Sequence, residues 1–192
     1  MNPEPFHEEV VIAGFGGQGV VLLGKLLATA GMRAGYEVTY MPSYGAEVRG
    51  GTANSMIVLA DRPIASPLVI TPDSLIAMNA ASLEKFAPRV KQNGLLVLNS
   101  SLVTQRPERS DLAVTELPAE EIALELGAPK AANMVALGAY ITLRSLLSVQ
   151  QVGDCLQEVL APRYHKTIPI NRQALEAGER FVREKCPTMQ KA

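Results

Sequence analysis

From Glu9 the chain runs through a continuous apolar stretch, VVIA, into Gly14, Gly16, Gly17 and Gly19, and then takes up a helical period. That change across a tight turn predicts strand, turn, helix. Leu22, Leu23, Leu26, Leu27 and Ala30 fall on one helical face, Gly35 closes the helix, and Tyr36 to Tyr40 reads as a second strand. The unit is expected to be βαβ with a right-handed crossover. A glycine-rich, polar loop at 41–54 precedes a β-branched apolar run at 55–60. Short apolar runs at Ser74 to Met78 and Leu95 to Leu98 flank a segment with Leu83, Phe86 and Val90 at helical spacing before Gly94. Leu112 to Thr115 reads as one more strand, and Pro118 opens a helix with acids in its first turn that Gly127 ends. The alternation predicts a three-layer α/β/α sandwich with a Rossmann-like sheet, mostly parallel or mixed.

The stretch Ala131 to Leu143 has only Asn133 and Thr142 as polar residues, so it lacks a solvent face. It reads either as a central core helix or as a helix capped by another subunit, with Gly138 and its flanking alanines permitting close approach. Gln150 to Leu160 and Ile170 to Lys185 read as amphipathic helices. With no repeat or linker visible, residues 1–192 are expected to form a single domain, with C-terminal helices from about residue 150.

Charge and composition narrow the function. Lys and Arg number 18 against 19 Asp and Glu, and a net charge of −1 supplies no global field for nucleic acid or a membrane surface. Only 19% of residues are charged, which leaves a surface able to face a partner. Two cysteines, Cys155 and Cys186, are too few for a disulfide framework or an iron–sulfur cluster and fit a reducing, cytoplasmic setting. His7 and His165 stand apart, with no metal-ligand spacing and no catalytic triad around them. The N-terminus, MNPEPFHEEVVIAG, lacks the basic-then-apolar pattern of a signal peptide.

Gly14, Gly16 and Gly19 satisfy G-x-G-x-x-G between a strand and a helix, where backbone N–H groups can meet a phosphate. A dinucleotide site also needs an acid at the end of the second strand, and here that strand ends at Met41 and Pro42, with Glu37 at its start. Three readings stay open for the glycines: a dinucleotide, a tight turn with close helix packing, or another anion or partner group. A second cluster holds Glu47 and Arg49, which in extended chain point to one side, followed by Gly50 and Gly51, which let a ligand or a neighbouring chain approach.

Four blocks in order, GFGGQGVVLLGKLLATAG, PSYGAEVRGGTANSMIVLADRPIASPLV, Asp73 to Asn79 and Asn133 to Ala139, resemble the gamma subunit of 2-oxoacid:ferredoxin oxidoreductases, the gamma-domain family of pyruvate:ferredoxin oxidoreductase. Ala13-Gly14-Phe15 with SYGAEVRGG is more similar to the 2-oxoglutarate type, with branched-chain (ketoisovalerate) enzymes close by. The resemblance implies a hetero-oligomeric oxidoreductase that decarboxylates a 2-oxoacid with coenzyme A to an acyl-CoA, carbon dioxide and reduced ferredoxin. It implies alpha and beta subunits and a possible ferredoxin-like delta subunit as partners, with thiamine diphosphate, Mg and iron–sulfur clusters on those other chains. It also implies that this chain covers the active site or helps bind CoA and has no activity alone. Gly14, Gly16, Gly17, Gln18, Gly19, Glu47, Arg49, Gly50 and Gly51 are then the CoA- or partner-facing candidates, with no catalytic or metal-binding residue. The alternatives are a free-standing nucleotide- or CoA-binding module, and the small subunit of indolepyruvate:ferredoxin oxidoreductase.

Overall fold

The computed structural model describes residues 6–44 and 52–186. Six strands, β1 (His7–Phe15), β2 (Glu37–Tyr44), β3 (Thr52–Ala60), β4 (Ser74–Ala77), β5 (Leu95–Asn99) and β6 (Ala113–Leu117), form one mixed sheet in the order β2-β3-β1-β4-β5-β6. β1, β4, β5 and β6 are parallel neighbours, while β3 runs antiparallel to both β1 and β2. The expected βαβ unit is therefore corrected. β2 runs parallel to β1 but does not pair with it, because β3 inserts between them and takes up the whole of β1, from His7 opposite Ala60 to Phe15 opposite Thr52. An antiparallel partner that follows closely in the chain needs no long crossover.

Alternate residues of each strand feed two cores. Val10, Ile12, Ile57, Ile76 and Val97 face one layer, built by α1 (Val20–Arg33), α3 (Ala119–Glu125), α4 (Ala132–Arg144), α5 (Val149–Asp154), α6 (Leu156–Val159) and α7 (Ile168–Lys185). Val11, Ala13, Leu75, Leu96 and Leu98 face the other, where α2 (Ala80–Phe86) brings Leu83 and Phe86. α2 is shorter than the sequence suggests because Pro88 cannot extend it, and a 3-10 turn, Ala87–Arg89, carries Val90 into the core. The expected helix over Gln150 to Leu160 is likewise two pieces, α5 and α6, meeting at Cys155. On α1, Leu23, Leu26, Leu27 and Ala30 are buried as expected, but Leu22 is only half-buried. Among the described residues no helix is long and apolar enough to cross a membrane.

Of the two readings of the apolar helix, the core reading holds. Every residue of α4 is buried except Thr142 and Arg144. The close approach that Gly138 permits is to this chain's own α7: a Cβ on Gly138 would lie 2.0 Å from Leu175 O, and one on Gly178 would lie 2.1 Å from Val135 O. Each helix thus presses its backbone into a notch on the other.

The C-terminal turn of α4 grips the start of β1. Glu8, only 6% exposed, accepts hydrogen bonds from Ser74 Oγ (2.6 Å) and Tyr140 OH (3.1 Å), and Arg144 Nε lies 3.0 Å from the same oxygen. Arg144 also donates to Ser74 Oγ and Asp73 O, both at 2.8 Å. Burial pushes the Glu8 carboxyl above its usual range, while Arg144 and the Ser74 hydroxyl pull it back in part. A raised value means that the folded chain holds this proton more tightly than the unfolded chain does. Its stabilising contribution is complete below the ordinary carboxylate value and is lost as pH rises through the folded one.

Two expectations follow from this packing. Gly138→Ala and Gly178→Ala should each cost about 3 kcal/mol or more in chemical denaturation of the isolated chain, since backbone stands where the methyl would go. Unchanged stability of Gly138→Ala would return α4 to an intersubunit role. Arg144→Met should cost about 3 kcal/mol near neutral pH, the lower end for a broken buried pair because the guanidinium is partly exposed. Denaturation repeated in mild acid should show that loss shrinking as Glu8 takes up a proton, and adding Glu8→Gln should remove most of it and its pH dependence. A loss that is the same at both pH values would contradict this account.

Candidate functional site

β1 ends at Phe15, and the turn to α1 is closed by the side chain of Gln18. Gln18 N donates to Phe15 O at 3.1 Å, and the side chain folds back so that its Oε1 accepts from Phe15 N at 2.7 Å. The same oxygen accepts from Asn79 Nδ2 at 3.0 Å, and Gln18 Nε2 donates to Met78 O at 3.0 Å. Asn79 is itself the N-cap of α2, its Oδ1 accepting from Ser82 N at 2.8 Å. One amide thus ties the end of β1 to the end of β4 and to the start of the next helix.

The glycines serve this closure in different ways. A Cβ on Gly14 would lie 2.7 Å from Gln18 Oε1 and 2.9 Å from Val20 Cγ1, so only glycine lets the amide and the helix settle onto the strand. Gly19 is the N-cap of α1 with φ of 74°, and a Cβ there would lie 2.2 Å from Asn133 Nδ2, at the start of α4. Gly16 and Gly17 are exposed, and Phe15 beside them is 38% exposed. Glu47, Arg49, Gly50 and Gly51 lie outside the described residues. The strands that flank them do define where that segment starts and ends: Thr52 pairs with Phe15, and Tyr44, 68% exposed, pairs with Ala53.

The helix after β1 lies on one face of the sheet and the helix after β4 on the other, which makes the β1/β4 boundary the topological switch point, the place where open α/β sheets hold ligands. A crevice of about 410 Å³ opens there, lined by Gly17, Gln18, Met78, Glu120, Lys130 and Asn133 among others. Glu120, Lys130 and Asn133 were not among the candidates read from the sequence. Beside Met78, on the same face and one strand over, Asn99 is 1% exposed with neither side-chain polar atom hydrogen-bonded among the described residues, and Glu120 Oε2 is buried and equally unpaired. A polar residue at the very end of an apolar strand, as in Leu95 to Asn99, and the lone asparagine opening an otherwise apolar helix were the available signals. Among the described residues no group of three or more His, Cys, Asp or Glu is placed to hold a metal ion.

Comparison with known proteins agrees with the resemblance read from the four sequence blocks. Ketoisovalerate oxidoreductase subunit VorA of Methanothermobacter marburgensis is 37% identical over 184 residues, which cover 95% of this chain but only 38% of that protein. The chain thus spans well under half the length of this curated relative. The 2-oxoglutarate synthase subunit KorC of Methanothermobacter thermautotrophicus is 31% identical over 185 residues, covering 93% of this chain and 96% of that one. Among solved structures, the keto/oxoacid ferredoxin oxidoreductase gamma subunit of Geobacter sulfurreducens superposes with a TM-score of 0.76 at 27% identity, over 90% of this chain and 96% of the other. Residues 9–181 match the family described as pyruvate ferredoxin/flavodoxin oxidoreductase, and that span, with the mixed sheet and the glycine turn inside it, is why the chain belongs to this family.

Proposed function

We propose that this chain is the gamma subunit of a cytoplasmic 2-oxoacid:ferredoxin oxidoreductase complex. In that complex a 2-oxoacid and coenzyme A become an acyl-CoA and carbon dioxide, and two electrons pass to ferredoxin. The observation that carries the reading is the end-to-end match with KorC, a 2-oxoglutarate synthase subunit of nearly the same length. The 2-oxoacid is then 2-oxoglutarate. Ketoisovalerate is the second reading, favoured by the higher identity to VorA.

The residues present do not fit a resident iron–sulfur cluster: the two cysteines of the sequence fall short of four thiolates, and Cys155 is buried with its thiol pushed up by that burial. Electron transfer and thiamine chemistry belong to the alpha and beta subunits and any delta subunit. This chain's part is to cover the active site and help hold CoA, through Gly14, Gly16, Gly17, Gln18 and Gly19 together with Glu47, Arg49, Gly50 and Gly51. Within the glycine turn the work divides. Gln18 has spent its carbonyl oxygen and one N–H inside the fold, so it braces, and the exposed Phe15-Gly16-Gly17 tip meets the neighbour.

The test is co-expression with the alpha and beta chains of the same genome. A stable complex should reduce ferredoxin with 2-oxoglutarate and CoA at least about tenfold more efficiently than with 3-methyl-2-oxobutanoate or pyruvate. The reverse ranking moves the substrate to the branched-chain type, and failure of the chains to co-purify defeats the subunit reading. Within that complex, Phe15→Ser should weaken assembly by about tenfold with the chain's own melting temperature little changed, because the side chain is already exposed. Gln18→Ala should lower both, having removed three hydrogen bonds worth about 1 kcal/mol each. A Phe15→Ser complex that assembles normally would take the turn's tip out of the interface.

A further inference from the structure

Between the start of α1, the connection from α3 to α4 and the start of α7 runs an apolar trough of about 540 Å³, walled by Leu22, Met134, Leu160, Tyr164 and Ile170. Leu22 is half-buried and Tyr164 is 48% exposed, so both rings of this wall stay partly open to solvent on their outer sides. The 3-10 turn that carries Tyr164, Pro162–Thr167, is fastened in place. His165 Nε2 lies 2.9 Å from Leu160 O, Thr167 Oγ1 donates to Tyr164 O at 2.7 Å, and Asn171 Nδ2 donates to Thr167 Oγ1 at 3.1 Å. The trough is thus preformed in the isolated chain, and a partner that meets a preformed groove loses less ordering entropy on binding.

Its rim is positive. Lys130 lines it, Arg163 stacks 5.0 Å from the centre of the Tyr164 ring, Lys166 follows in the same turn, and Lys25 stands one turn beyond Leu22 on α1. All four are exposed, and none forms an ion pair among the described residues, whereas Arg33 and Arg172 are paired with Glu158 and Asp154. No acid stands in the first turn of α1, α4 or α7. Of the acids on α3 and α6, Glu158 is held by Arg33, Glu121 accepts from Ser101, Glu125 lines a separate groove with Arg180, and Glu120 lies in the crevice beside Gln18. In a chain of net charge −1, the rim is a local excess of one sign.

An exposed apolar trough with a rim of one sign fits a partner surface that is apolar in the middle and oppositely charged at its edges. The walls are helices and a 3-10 turn rather than a sheet edge, so an extended segment would find no ladder to join, whereas a helix arrives with its own backbone satisfied. A second copy of this chain is a poor source. Leu124, exposed between Glu121 and Glu125, stands on the seven-residue α3 and offers one apolar side chain to a trough walled by five. We infer that the trough docks an acidic amphipathic helix of a neighbouring protein chain. Its apolar stripe lies against Leu22, Leu160 and Tyr164, and its flanking carboxylates meet Lys25, Lys130, Arg163 and Lys166. The contact is separate from the Phe15-Gly16-Gly17 tip, and it rests on the reading of this chain as a subunit.

The test uses the complex co-expressed with the alpha and beta chains. A zero-length carbodiimide joins a lysine amine to a carboxylate that it touches, and peptide mapping should link Lys130 or Lys166 to an Asp or Glu in a helix of another chain. Dissociation on dilution, followed by mass photometry, should occur at about tenfold higher concentration in Tyr164→Ala, with the melting temperature of the chain little changed because the ring is already exposed. Lys130→Glu combined with Lys166→Glu, both on the exposed rim, should weaken assembly by about tenfold at low salt and by much less in about 0.5 M salt. Wild-type assembly in either variant at low salt, no link from either lysine, or links confined to this chain or a second copy of it would overturn the docking. The complex, and with it the subunit reading, would then still stand. Failure of the chains to co-purify would remove both.

Discussion

Helix α4 meets water only at Thr142 and Arg144, near its C-terminus, and the rest of the molecule is arranged to enclose it. The sheet covers one side, α7 closes the other through the paired notches at Gly138 and Gly178, and α3, α1 and α5 pack around it. An apolar helix could rotate or slide within such a sleeve, because burial is not directional. Polar contacts at its two ends prevent that. At the amino end of the sheet Glu8 holds Tyr140 and Arg144, and at the carboxyl end Asn133 abuts Gly19. The ion pair at Glu8 adds little net stability after desolvation, but it fixes the register of α4 against β1. That register sets where the α4 start stands relative to the glycine turn, and hence the shape of the crevice between them.

Elements whose identity is local could be read directly from the sequence. The strand, turn and helix at Glu9 to Gly35 announce themselves by a change of period, and α4 by the lack of a polar face. Pairing is different. Nothing in the period of 55–60 says that it will lie between the two preceding strands, because a strand's choice of neighbour depends on connection length and on what else competes for that edge. The polar residues gathered at this end of the sheet were hidden for a related reason. Asn79, Asn99 and Asn133 each have an ordinary local explanation, as a helix cap, a strand end or a helix start, and only the parallel arrangement of β1, β4 and β5 collects them at one end of the sheet.

The glycine signature shows how one motif can serve different ends. In a dinucleotide fold the first and second strands are neighbours, so an acid at the end of the second reaches the ribose of a ligand held at the first. Here β3 stands between β1 and β2, and an acid at the end of β2 would be a whole strand too far away. β2 runs on past Met41 and Pro42 to Tyr44, and an acid at either point would stand across β3 from the glycine turn. Gln18 occupies the strand-side interior of the turn and meets Phe15 N itself, so that N–H is already satisfied within the chain.

The inserted strand has a second consequence at the same end of the sheet. Because β3 begins where β1 stops, Thr52 lies opposite Phe15 and Ala53 opposite Tyr44, so β2 ends and β3 begins at the end of the sheet that carries the glycine turn. The glycine turn, the end of β2 and the start of β3 thus share one end of the sheet, with the aromatic rings of Phe15 and Tyr44 exposed there. A rim of exposed rings and glycine backbone in a chain of low charge density is suited to being covered by another protein.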